Sequence, residues 1–80
     1  MSINRIREIL YSALDRMVPN VKEKFYDKAK SAIDRALEEY STGLISDRNL
    51  YYEILGMMYE YLIPLTPRDI KELKELLKVD

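Results

Sequence analysis

Residues 45–65, ISDRNLYYEILGMMYEYLIPL, are the most apolar run in an 80-residue chain, and their reading decides the fold. The spacing predicts a helix over residues 47–63. On a wheel of 3.6 residues per turn, Leu50, Tyr51, Ile54, Leu55, Met57, Met58, Tyr61 and Leu62 share one broad face, wide enough to touch two neighbouring helices. Tyr52, Gly56, Tyr59 and Ile63 line up beside that face, leaving Asn49, Glu53 and Glu60 as a thin polar seam. A helix apolar around nearly its whole circumference either sits in the middle of a bundle or carries a surface for a partner. The other segments are therefore expected to pack around this one.

Upstream, Ser2 is placed to cap a first helix over residues 3–18, with Ile3, Ile6, Ile9, Leu10, Ala13, Leu14 and Met17 as its buried stripe. Val18 precedes Pro19, and a residue before proline is pushed away from helical ψ, so the helix is expected to end there. Asn20 and Glu23 have capping-box spacing and open the longest helix, residues 21–42. Its inner face reads Val21, Phe25, Tyr26, Ala29, Ala32, Ile33, Ala36, Leu37 and Tyr40. The three alanines let another backbone come close, so the apolar helix is expected to dock there. Gly43 supplies a left-handed stop, with Leu44 as its hydrophobic cover. Ser46 then caps the apolar helix while Ile45 staples to Leu50.

Downstream, Thr66 is a cap, Pro67 holds the first helical position, Asp69 completes a capping-box pair and Leu65 staples to Ile70. This opens a fourth helix over residues 67–78 that turns Ile70, Leu73, Leu76 and Leu77 inward. The fold class is therefore all-α, one domain over residues 1–80, built as a compact four-helix bundle or as paired helical hairpins. No strand pattern competes.

Composition narrows function by exclusion. A chain this short hides roughly 60–65% of the surface its unfolded form exposes, so its single core is small. The absence of cysteine removes disulfides and thiolate metal sites, and the absence of histidine removes the commonest acid–base residue. Abundant Lys, Arg, Glu and Asp with many Ile and Tyr and no Cys or Gln resemble the usage of a hyperthermophile. The net charge of −1 gives the whole molecule no strong attraction to nucleic acid or anionic lipid. Glu53 and Glu60 interrupt the best candidate for a membrane span, and MSINRIREIL has charges where a signal peptide needs its apolar region. A cytoplasmic protein is expected.

Two stretches are candidates for binding. Tyr52, Gly56, Tyr59 and Ile63 form a strip suited to a protein partner, because tyrosines give large amphipathic contact area at low entropic cost. Gly56 costs a helix interior about 1 kcal/mol relative to alanine, which points to close approach by another helix. That helix is either the chain's own fourth or one from a partner. The second stretch is the lysine-rich start of the second helix, Lys22, Lys24, Lys28 and Lys30, a candidate nucleic-acid face. Glu23 and Asp27 are interleaved with it, as in a solvated helix laced with ion pairs. With Phe25 and Tyr26 assigned to the inner face, no aromatic residue is left among these lysines to stack on a base.

A helix-turn-helix would need its turn at residues 40–44, which puts Asp47, Arg48 and Asn49, followed by tyrosines and methionines, in the major groove; that is core rather than a reading head. Catalysis has little to work with. Glu53 and Glu60 share a seam and Glu72 and Glu75 stand three apart, but there is no phosphate loop and no nucleophile–base pair. No enzyme activity, catalytic residue, cofactor or metal is expected.

The small all-helical layout with proline-punctuated joints, Met17-Val18-Pro19-Asn20 and Ile63-Pro64-Leu65-Thr66-Pro67, resembles the small helical accessory subunits of crenarchaeal B-family replicative DNA polymerases. The resemblance spans the chain as a pattern and rests on no diagnostic motif, so no functional residue carries over by position. The chain departs from one such subunit in having only Val79 and Asp80, rather than a long acidic tail, after the expected last helix. The resemblance implies a non-catalytic subunit that docks on the polymerase, stabilises the assembly and modestly aids DNA binding or synthesis. A homo-oligomer through the tyrosine strip is the simplest version of a binding role. Direct DNA binding through the four lysines is the alternative.

Overall fold

A computed structural model describes residues 2–80 and shows four helices, α1 (Ser2–Asp15), α2 (Pro19–Ser41), α3 (Asp47–Tyr61) and α4 (Pro67–Leu76), packed as a compact all-α bundle. At about 1.5 Å rise per residue, the 23 residues of α2 span the molecule's long dimension of 34 Å. The most extensive helix contacts are α2 with α3, then α1 with α2, then α1 with α4. The hub is therefore α2, not the apolar helix α3 that the sequence suggested, and α4 leans on α1. The reason lies in the alanines. Ala29 and Ala36 are buried on α2 and let both neighbours come near.

The core gathers Ile6, Leu10 and Leu14 of α1, Ile33 and Leu37 of α2, Leu50 and Ile54 of α3, and Leu73 with Leu77 from the last segment, all fully buried. Each such side chain contributes about 1.5–3 kcal/mol relative to exposure. Polar bonds tie the helices at their ends. Arg5 of α1 donates through Nε and Nη2 to both carboxylate oxygens of Glu72 on α4, at 2.5 and 2.9 Å. Arg16 donates to Asp69 at 2.8 Å and to the Pro64 carbonyl at 3.2 Å, fastening the end of α1 to the α3–α4 connection. Tyr11 donates to Asp34, and Tyr40 donates to Asp47 at 2.7 Å across the α2–α3 joint.

Local capping follows the sequence in part. Ser46 accepts from the Asn49 amide, and the Thr66–Asp69 box forms in both directions at 3.0 and 3.1 Å. The Asn20–Glu23 box does not form. Pro19 takes the first helical position with Val18 as a cap that offers no side-chain bond, which moves Asn20 inside the helix. Proline's fixed φ and missing amide suit that position, so it outcompetes the asparagine. α1 stops at Asp15, earlier than expected, through short-range bonds from Arg16 to Ala13 and from Met17 to Leu14. The expected Ser2 cap falls on a side chain outside the described residues.

Three helices end in the same left-handed motif. At α2, Gly43 (φ 81°) lets the Leu44 amide reach the Glu39 carbonyl at 2.8 Å, but the Leu44 side chain is 75% exposed and covers nothing. At α4, Lys78 (φ 55°) does the same, with Val79 bonded to Lys74 at 2.9 Å, so the helix proper ends two residues short of the expected 78. At α3, the left-handed residue is Leu62 (φ 57°, ψ 43°), and the Ile63 amide bonds the Met58 carbonyl at 3.1 Å. Only the first uses glycine. A non-glycine residue in this region costs about 1–2 kcal/mol.

The stop at Leu62 reverses two sequence assignments. Beyond Tyr61 the chain no longer turns by 100° per residue, so Leu62 swings outward and is 57% exposed, while Ile63 turns inward and is 3% exposed. Leu62 leaves the buried face, and Ile63 leaves the partner strip for the core.

Candidate functional site

The strip that remains on the outer side of α3 is Tyr52, Gly56 and Tyr59. Tyr52 is 56% and Tyr59 76% exposed, and Gly56 lies open between them. These three share a face because positions four and seven apart return to nearly the same angle on a helix. Tyr52 rests edge-on against the buried Tyr51, with ring centroids 5.6 Å apart, which fixes its orientation. The Tyr59 ring and hydroxyl meet no partner among the described residues. A methyl group built on Gly56 would find nothing within 4 Å, so no part of this chain makes the close approach that glycine permits. In particular, α4 packs on α1 and not on this face.

Beside Gly56, the seam between α3 and α2 opens into a cleft of about 380 Å³. Ala32, Ala36 and Met57 lie in it, with Glu53 and Glu60 from α3 and Glu39 and Arg35 from α2 along its sides. The seam closes at one end where Phe25 tilts against Tyr61, ring centroids 6.1 Å apart. Sequence reading placed Glu53 and Glu60 on a polar seam but missed that Glu39 of α2 lines the same cleft. It also missed Leu62 as an exposed apolar residue at the end of the same helix. The signal for Leu62 was present: Pro64 bars Ile63 from helical ψ, so the helix had to stop before it.

The four lysines at the start of α2 are mostly engaged within the chain. The Lys22 ammonium lies 5.5 Å from the Tyr26 ring centroid and donates to the Asp15 carbonyl at 3.4 Å. Lys24 stands 5.2 Å from the Phe25 ring centroid. Lys30 pairs with Asp34 at 3.3 Å and sits 5.3 Å from the Tyr11 ring centroid. Phe25 and Tyr26 are half-buried rather than sealed inside, so aromatic rings do stand among these lysines, each already covered by an ammonium group. Lys28 alone of the four is exposed and without a partner among the described residues.

Electrostatics at this corner is shaped by Asp34. The hydrogen bond from Tyr11 and the adjacent Lys30 hold its carboxyl below the usual range, and the same bond raises Tyr11. Lys30 is raised by its bond to Asp34. On α4, the Arg5 bond holds Glu72 below its ordinary value. Both networks join helices, and neither faces the tyrosine strip. Among the described residues, no three acidic side chains converge as metal ligands do. No described helix is long and apolar enough to cross a membrane. No family model matches the chain, and no curated protein or solved structure is found to be similar to it.

Proposed function

We propose that this chain is a non-catalytic subunit that works by docking a larger protein on the outer face of α3, through Tyr52, Gly56 and Tyr59. The observation that carries this reading is Gly56. It costs the helix about 1 kcal/mol, and nothing within the chain uses the space it leaves. The two flanking tyrosines are large, exposed and of the type enriched at binding hot spots. Leu62 adds to the argument, because a leucine held left-handed and exposed serves the isolated fold worse than a glycine would.

The partner class implied by the resemblance is a replicative DNA polymerase, with the chain stabilising the assembly and modestly aiding DNA binding or synthesis. The test is a titration of the chain against the B-family polymerase of the same source, followed by gel filtration. A complex lost on Tyr59→Ala, with the melting temperature unchanged, supports the reading; a complex indifferent to Tyr59→Ala overturns it. The competing reading, direct DNA binding through Lys22, Lys24, Lys28 and Lys30, is disfavoured by the internal engagement of three of the four. It predicts DNA affinity that falls steeply with salt.

A further inference from the structure

We propose that the occupant of the α3 face is a basic amphipathic helix, lying along the α2–α3 cleft with its Lys or Arg side chains on Glu39, Glu53 and Glu60. This rests on the docking reading above and adds the chemistry of the partner. The apolar part of the surface, Tyr52, Gly56 and Tyr59, is bordered on one side by the cleft that holds these three carboxylates and one guanidinium, that of Arg35. None of the three glutamate side chains makes an ion pair or hydrogen bond among the described residues. Asp34, Asp47, Asp69 and Glu72, which bridge between segments of the chain, are all bonded. The surface is therefore an apolar strip with an unneutralised acidic margin, and its complement is apolar with a cationic margin.

The shape favours a helix. Two antiparallel helices with small residues along their seam leave a groove that a third helix fills by ridge-into-groove packing, and Gly56 lets that helix approach closely. A second copy of the chain fits less well. Two α3 strips facing each other in antiparallel two-fold fashion bring identical flanks together, so Glu53 and Glu60 would meet their own symmetry mates. DNA is repelled by the same carboxylates.

The test uses the full chain and a labelled synthetic helical peptide with alanine and leucine on one side and lysines on both flanks. Its counterpart carries glutamate in place of every lysine. Fluorescence anisotropy is read at about 0.05 and 0.5 M salt, where screening lengths differ several-fold. The lysine peptide is expected to bind, and the glutamate peptide is not. The combined Glu39→Gln, Glu53→Gln and Glu60→Gln variant is expected to lose about tenfold in affinity at low salt and little at high salt. Tyr59→Ala is expected to weaken binding at both.

Equal binding of the two peptides, binding of neither, or full affinity in the glutamine variant overturns the basic-helix proposal. Where a peptide binds and Tyr59→Ala still weakens it, or where neither peptide binds but Tyr59→Ala abolishes the complex with the polymerase, docking on α3 survives without it. An unaffected Tyr59→Ala removes the docking reading itself. A dimer in sedimentation that Tyr59→Ala dissociates and the glutamine variant strengthens assigns the face to a second copy and also overturns the proposal.

Discussion

Ile63 and Tyr59 stand four positions apart in the sequence and on opposite sides of the solvent boundary. Ile63→Ala is expected to cost about 2–4 kcal/mol, since it empties a filled core site. Tyr59→Ala is expected to shift stability by no more than about 0.5 kcal/mol. Urea midpoints of the two variants check both values. Gly56→Ala is expected to raise stability by about 0.5–1 kcal/mol, because the added methyl meets nothing and helix propensity improves. The same change is expected to weaken partner binding by blocking close approach; a midpoint below wild type would show that Gly56 has an unseen role in the fold. The spacing of Tyr52, Gly56 and Tyr59 was legible in the sequence because helical periodicity holds through all three. Ile63 was misread because the periodicity was carried past a left-handed residue that is not glycine.

At the scale of elements, α4 is the least anchored of the four helices. It has 10 residues, approaches α1, and depends on its cap and on Arg5 and Arg16. Thr66→Ala is expected to cost about 1 kcal/mol and to speed amide exchange in α4 before α2. Uniform acceleration across all helices would show that α4 does not open separately. Acid should loosen the ties of α1 to both α4 and α2. Glu72 and Asp34 both have folded-state values below their ordinary ones, through Arg5 and Tyr11. Each therefore adds stability above the usual carboxylate range, and that stability is lost as pH falls through the folded-state values. Urea midpoints are expected to hold from neutrality to about pH 5 and then decline, with a shallower decline in Glu72→Gln. An equal decline in that variant would remove the Arg5–Glu72 pair from the explanation. The Thr66–Asp69 box was readable because its bonds are local. The Arg16–Pro64 and Arg5–Glu72 bonds join residues far apart in sequence, so no local pattern announced them.

At the scale of the molecule, the order in which helices meet decides which face stays free. Because α2 is the hub and α4 lies on α1, the outer side of α3 has no neighbour within the chain. The sequence exposed the surplus of apolar surface on α3 but assigned that helix the centre, since hydrophobicity alone does not distinguish burial on two sides from burial on one. The acidic margin was equally hidden, as Glu39 joins Glu53 and Glu60 only after α2 and α3 pair. The most direct test of the central claim is photo-crosslinking from a benzophenone amino acid placed at position 59, with position 71 on α4 as control, in extract of the source organism. A discrete heterologous crosslink from position 59 that is absent from position 71 is the predicted result. Crosslinks of equal yield from both positions, or none from position 59, would contradict a docking surface on α3.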